Sequence, residues 1–228
     1  MRSLVVLTST LAACSAFHWA EDLPPQGTAR ALGQYSVHLY GDLSRGRGPV
    51  LEDALGEALA ILSDPQLQAS LDQIAALDSG RCELALRAVD SRGLAARVLS
   101  AAAKAEPSIS AWPNGYELLA GTSTIATTRR TPSAAISIDP ERVDMWHGDI
   151  DRRACLIDTL VHEMTHLVDE PDGSTSFVDG RVTGREHMVS YRLGRLAACH
   201  FRARNGRVNP ASCVDASLEP LSCPFVRR

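Results

Sequence analysis

Residues His162-Glu163-Met164-Thr165-His166 carry the side chains best suited to chemistry in this chain of 228 residues. Four residues turn an α-helix by about 400°, so the two histidines project within about 40° of each other, one turn apart. Two imidazoles in that relation can hold one divalent ion, with Zn²⁺ at roughly 2.0–2.1 Å from each ligating nitrogen. Glu163 lies about 100° round the helix from His162. Its carboxylate can reach water beside the ion without binding the ion itself. The flanks separate this pattern from a solvated face that merely carries two histidines: Leu160 precedes the motif, and Leu167 and Val168 follow it.

The helix that must present these groups is legible around the motif. Asp149 or Asp151 can cap its start. Ile157, Leu160, Val161, Met164 and Val168 recur at i, i+3, i+4, i+7 and i+11, which is one buried face. The helix is expected to run to about Asp169, with Pro171 and Gly173 ending it.

With Thr159 three residues before the first histidine and apolar residues around it, the motif resembles the extended pattern of the zincin metallopeptidases. The resemblance covers about Asp149 to His200. It implies an α+β fold in which a small sheet packs on the motif helix with further helices around it. It also implies one catalytic Zn²⁺ held by His162 and His166. Such an ion takes a third protein ligand and keeps an open position.

Glu186, 20 residues after His166, matches the thermolysin-like gluzincin arrangement, where a second helix returns and supplies a glutamate. Glu186, Val189, Leu193, Leu196 and His200 fall on one side of such a helix. Arg185 stands where that family has an asparagine, and Ser190 where it has the aspartate that supports a histidine ligand. Gly173-Ser174-Thr175, Asp179 and Tyr191-Arg192-Leu193-Gly194 echo the deuterolysin-like, or aspzincin, pattern instead. Asp179 therefore stays open as third ligand beside Glu186, with His187 as the remaining candidate.

The resemblance implies hydrolysis of peptide bonds in a peptide or protein substrate, with Glu163 as the proton carrier. It also implies a tyrosine or histidine donor for the oxyanion. Tyr191 is the first candidate, ahead of His200 and His187. In zincins the substrate lies along an edge strand above the motif helix. Thr122 to Thr128 and Ala134 to Ile138, β-branched and bounded by turn residues, are the segments that can supply it. If the two ligand helices pack antiparallel, Cys155 and Cys199 each lie roughly 16–20 Å from the ion at 1.5 Å per residue. A Cys155–Cys199 disulfide accompanies the choice of Glu186. Two rival functions remain: a non-catalytic zincin scaffold used as a binding module, and a zinc hydrolase of a cell-wall amide.

The N-terminus reads as an address. Arg2 and the apolar Leu4 to Leu11 resemble a secretory signal, and Leu11-Ala12-Ala13-Cys14 resembles the lipobox of bacterial lipoproteins. That resemblance implies a signal peptide over residues 1–13, lipidation of Cys14, and membrane attachment through the N-terminal lipid. Ser15 after the cysteine implies the outer membrane, facing the periplasm. Residues 14–50 read as lipid anchor and tether, and residues 51–228 as the zincin-like domain.

Within that domain Leu51, Ala54, Leu55, Ala58, Leu59 and Leu62 mark a first helix, stopped by Asp64-Pro65. Leu67, Leu71, Ile74 and Leu77 mark a second, and Cys82 to Ala105 a third that Gly93 can break. Cys82, Cys155, Cys199, Cys213 and Cys223 follow Cys14, and in an oxidising compartment most should pair. A hydrophobic share of 45% with 22% charged residues suits a folded chain. No run approaches the roughly 20 apolar residues of a spanning helix. A formal charge of −4 argues against general nucleic-acid binding.

Overall fold

Helix α1 (Arg47–Leu62) buries Leu51, Ala54, Leu55, Ala58, Leu59 and Leu62, the residues whose spacing marks it in the sequence. Its end and the start of α2 (Pro65–Leu77) are one device. The Ser63 hydroxyl donates to the Leu59 carbonyl at 2.8 Å, and the Asp64 carboxylate accepts from the Gln66 N–H at 2.9 Å. Pro65 then takes the first helical position, where its missing N–H removes no helical bond. Helix α3 (Leu94–Ala105) begins after Gly93, whose φ of 64° lies in the left-handed region. Gly93 thus marks the start of α3, and the Cys82–Arg92 part of the expected third helix lies outside the described residues. This computed structural model describes residues 28–32, 35–40, 46–77, 93–111, 126–129, 134–168 and 189–218.

The sheet joins β1 (Thr28–Leu32), β2 (Tyr35–Tyr40), β3 (Ser108–Ala111), β4 (Ala126–Arg129) and β5 (Ala135–Ile138) in the order β1-β2-β3-β5-β4. The two inner pairings, β2 with β3 and β3 with β5, are parallel. The two outer ones are antiparallel, with Thr128 opposite Ile136 in β4–β5. Ile109, Ile136 and Ile138 are buried beneath the helices. The architecture is mixed helix and strand, mostly helical, and compatible with α+β. Within the stretch read as lipid anchor and tether, Thr28–Leu32 and Tyr35–Tyr40 form β1 and β2, and α1 starts at Arg47. The β1–β2 register pairs Thr28 with Leu39 and Leu32 with Tyr35.

A short helix α4 (Pro140–Asp144) and a 3₁₀ turn (Met145–His147) lead into α5 (Ile150–Thr165), the motif helix. Arg47 grips the Asp144 carboxylate through both Nε and Nη2, fixing α4 to the start of α1. Helix α6 (Val189–Arg204) runs antiparallel to α5: Tyr191 meets His162, Gly194 meets Asp158, and Arg202 pairs with Asp151 at 2.6 Å. Arg153 stacks 4.3 Å above the Trp146 ring, which itself lies 5.9 Å from Phe201 of α6. Among the described residues, no helix is long and apolar enough to cross a membrane.

The expected Cys155–Cys199 disulfide is not formed. Cys199 bonds Cys213 at the start of α7 (Cys213–Leu218), and Cys155 keeps a buried thiol. The antiparallel register passes Cys155 near Ala197 and Ala198. Cys199 lies one to two residues further, about 100–200° round the helix, and faces α7. The antiparallel helix pair that accompanied Glu186 is therefore present, and the disulfide is not.

Helices α5 and α6 approach closely at Gly194. A Cβ there would lie 2.8 Å from the Asp158 carbonyl oxygen, closer still to Asp158 Oδ1, and 3.3 Å from His162 Cβ. Backbone cannot yield as a flexible side-chain tip can, so a methyl group must push the helices apart. Gly194→Ala is expected to lower the unfolding free energy by about 1–3 kcal/mol despite alanine's better helix propensity. Denaturant melts check this, and an unchanged or raised midpoint would contradict the packing described.

Candidate metal centre

Helix α5 starts at Asp149, whose carboxylate accepts from the Arg152 N–H at 2.9 Å, the cap that the sequence pattern offers. Ile157, Leu160, Val161, Met164 and Val168 are all buried, as their spacing requires. Thr159 and Thr165 satisfy their hydroxyls on the carbonyls of Cys155 and Val161, one turn back. The helix ends at Thr165, earlier than the expected Asp169. His166, Leu167 and Val168 donate to the carbonyls three residues before them, which tightens the last turn.

The two histidines meet as the i, i+4 spacing demands. His162 Nε2 and His166 Nε2 lie 3.2 Å apart, with the rings edge to face at 4.9 Å between centroids. Glu163 Oε1 is 3.9 Å from His162 Nε2. His162 and Glu163 are buried, while His166 is partly exposed. Together these three side chains form a group that could hold a metal ion, with one ligand atom from each within 4.8 Å of the others. Two nitrogens bound tetrahedrally at roughly 2.0–2.1 Å would stand about 3.3 Å apart. The observed separation fits a shared ion of that size.

Two further elements close on this group. From α6, the half-buried Tyr191 sets its ring against His162 at 4.4 Å between centroids. From the sheet, Thr128 of β4 places its hydroxyl 2.6 Å from Glu163 Oε2 and 3.0 Å from the Glu163 carbonyl oxygen. Among the described residues β4 is an edge strand beside α5, in one of the two segments expected to supply it. Thr128 itself is a site residue that sequence reasoning missed, because a contact across 35 residues leaves no local signal. Burial pushes the Asp158 carboxyl above the usual carboxylate range, while the nearby His162 and Arg142 pull it down.

Other expected residues stand apart. Cys14, Asp179, Glu186 and His187 lie outside the described residues. His200, an alternative oxyanion donor, lies nine residues beyond Tyr191, about 13 Å along α6. It is buried at the junction with α2, its Nε2 3.1 Å from the Ser70 hydroxyl. No family model, curated protein or solved structure matches the chain.

Burial holds the His200 imidazole below its ordinary value, with the Asp64 carboxylate pulling it up and Arg204 pushing it down. The fold therefore favours neutral His200. The stability this contributes is complete above the unfolded value near pH 6.5 and is lost as pH falls below it toward the lowered folded value. Thermal midpoints should fall between about pH 7.5 and pH 5, and His200→Gln should flatten that dependence. Equal slopes in the two proteins would contradict this assignment.

Proposed function

We propose that this chain is a zinc-dependent peptidase of the zincin kind, anchored to the cell envelope by lipid on Cys14 and facing the periplasm. The observation that carries the reading is the pair of Nε2 atoms 3.2 Å apart beside a buried carboxylate, on a helix flanked by an edge strand. His162 and His166 would hold the ion. Glu186 is the proposed third ligand. It precedes Val189 by three residues, and the first turn of α6 packs beside His162. Zinc, when bound, supplies a Lewis acid that polarises a carbonyl and makes nearby water more acidic.

The chain's own residues do the rest. Glu163 takes a proton from water through Oε1, the oxygen nearer His162, and the resulting carboxylic acid returns it to the leaving amine. Tyr191 is the proposed donor to the developing oxyanion, since its ring lies against His162. β4 is the proposed rest for the peptide, because its Thr128 touches Glu163. Burial of Glu163 raises the strength of its polar contacts, because little solvent screens them.

The test is a Glu163→Gln protein that retains its zinc. Cleavage of a peptide library or casein by the full-length zinc-loaded protein should fall by roughly 10²–10⁴-fold in kcat/KM. Unchanged cleavage in Glu163→Gln would remove the carboxylate from the mechanism. Absence of any cleavage by zinc-loaded wild type would leave a binding module. Release of fragments from purified peptidoglycan, with casein untouched, would make the substrate a cell-wall amide.

A further inference from the structure

We propose that Thr128 is a positioning residue for Glu163, holding its carboxyl group in a single aim during proton transfer. The inference rests on the peptidase reading above and adds to it a residue on a separate element. Thr128 sits mid-strand in β4, locked opposite Ile136 by the ladder with β5. Ala126, two residues earlier on the same face, packs against the core, so the Thr128 side chain is directed at α5 by the alternation of the strand.

The geometry gives the hydroxyl two acceptors on one residue. Glu163 Oε2 lies at 2.6 Å, in the range of a charge-assisted O–H···O⁻ bond, and the Glu163 main-chain carbonyl at 3.0 Å. A hydroxyl carries one proton and can also accept. When Glu163 is a carboxylate, Thr128 donates to Oε2. When Glu163 has gained a proton on Oε1, Oε2 is the C=O oxygen of the acid and still accepts from Thr128. The hydroxyl keeps a bond to the carboxyl in both states. Oε1, 3.9 Å from His162 Nε2, is left to face the ligand nitrogens. A rotation that took Oε2 away from Thr128 would break the 2.6 Å bond and leave a buried oxygen unpaired.

Three variants of the full-length protein test this. Thr128→Val keeps the shape and removes the hydroxyl, Thr128→Ser keeps the hydroxyl, and Thr128→Ala replaces the valine variant should that one not fold. With zinc stoichiometry unchanged, the hydroxyl-free variant should lose about 10–100-fold in kcat with KM near wild type, as misplacement of a reacting group does. Thr128→Ser should recover kcat to within about threefold. A second readout needs no activity. In protein labelled with ¹³C at glutamate carboxyls, the Glu163 signal, identified by its loss in Glu163→Gln, should move in Thr128→Val and return in Thr128→Ser. If wild type proves inactive, the peptidase reading fails, and the carboxyl signal still decides the Thr128 contact. A signal unmoved in the hydroxyl-free variant overturns the proposal, as does wild-type kcat in that variant.

Discussion

Helices α5 and α6 approach at a point where α6 has no side chain. Gly194 rests against the Asp158 carbonyl and within contact of His162 Cβ, one turn before His166. That approach sets how much room lies beside the histidines and brings Tyr191 against the first of them. The sheet also holds α5, through Thr128 of β4. The i, i+4 spacing brings the two imidazoles together, and contacts with α6 and β4 hold the helix that carries them. The tightened last turn then leaves His166 partly exposed while His162 is buried.

Burial of the polar face is what makes the arrangement informative. A carboxylate as enclosed as Glu163 is costly unless it is hydrogen-bonded, and here the partner is a hydroxyl from a different element. Two hydroxyls of α5, those of Thr159 and Thr165, are by contrast satisfied locally, on carbonyls one turn back. Glu163 is held by a contact that only the assembled sheet can supply. The fold thus places a strong acceptor next to two imidazole nitrogens in a poorly solvated corner, where electrostatic interactions are stronger than in water.

Much of this was legible in the sequence where the signal is local. The Asp149 cap, the buried stripe from Ile157 to Val168 and the meeting of His162 with His166 all follow from helical periodicity over a single turn or two. Asp64-Pro65 likewise marks both the end of α1 and the start of α2. Contacts between distant segments left no such trace. Thr128 against Glu163 and Gly194 against Asp158 depend on how strands and helices assemble. The Cys199–Cys213 link depends on which way Cys199 turns on α6, and cysteine spacing does not encode that. The β1–β2 hairpin carried a readable signal, Tyr35, Val37 and Leu39 alternating after Gly33-Gln34, but the surrounding glycines and prolines favoured a tether.

Everything chemical in this account requires that His162 and His166 bind one metal ion together. The most direct measurement is the metal content of the purified full-length protein after equilibration with zinc and removal of the excess. The account predicts about one zinc per chain, lost in His162→Ala and in His166→Ala while both variants remain folded. Wild type without stoichiometric zinc, or full zinc retention when both histidines are replaced, would contradict it.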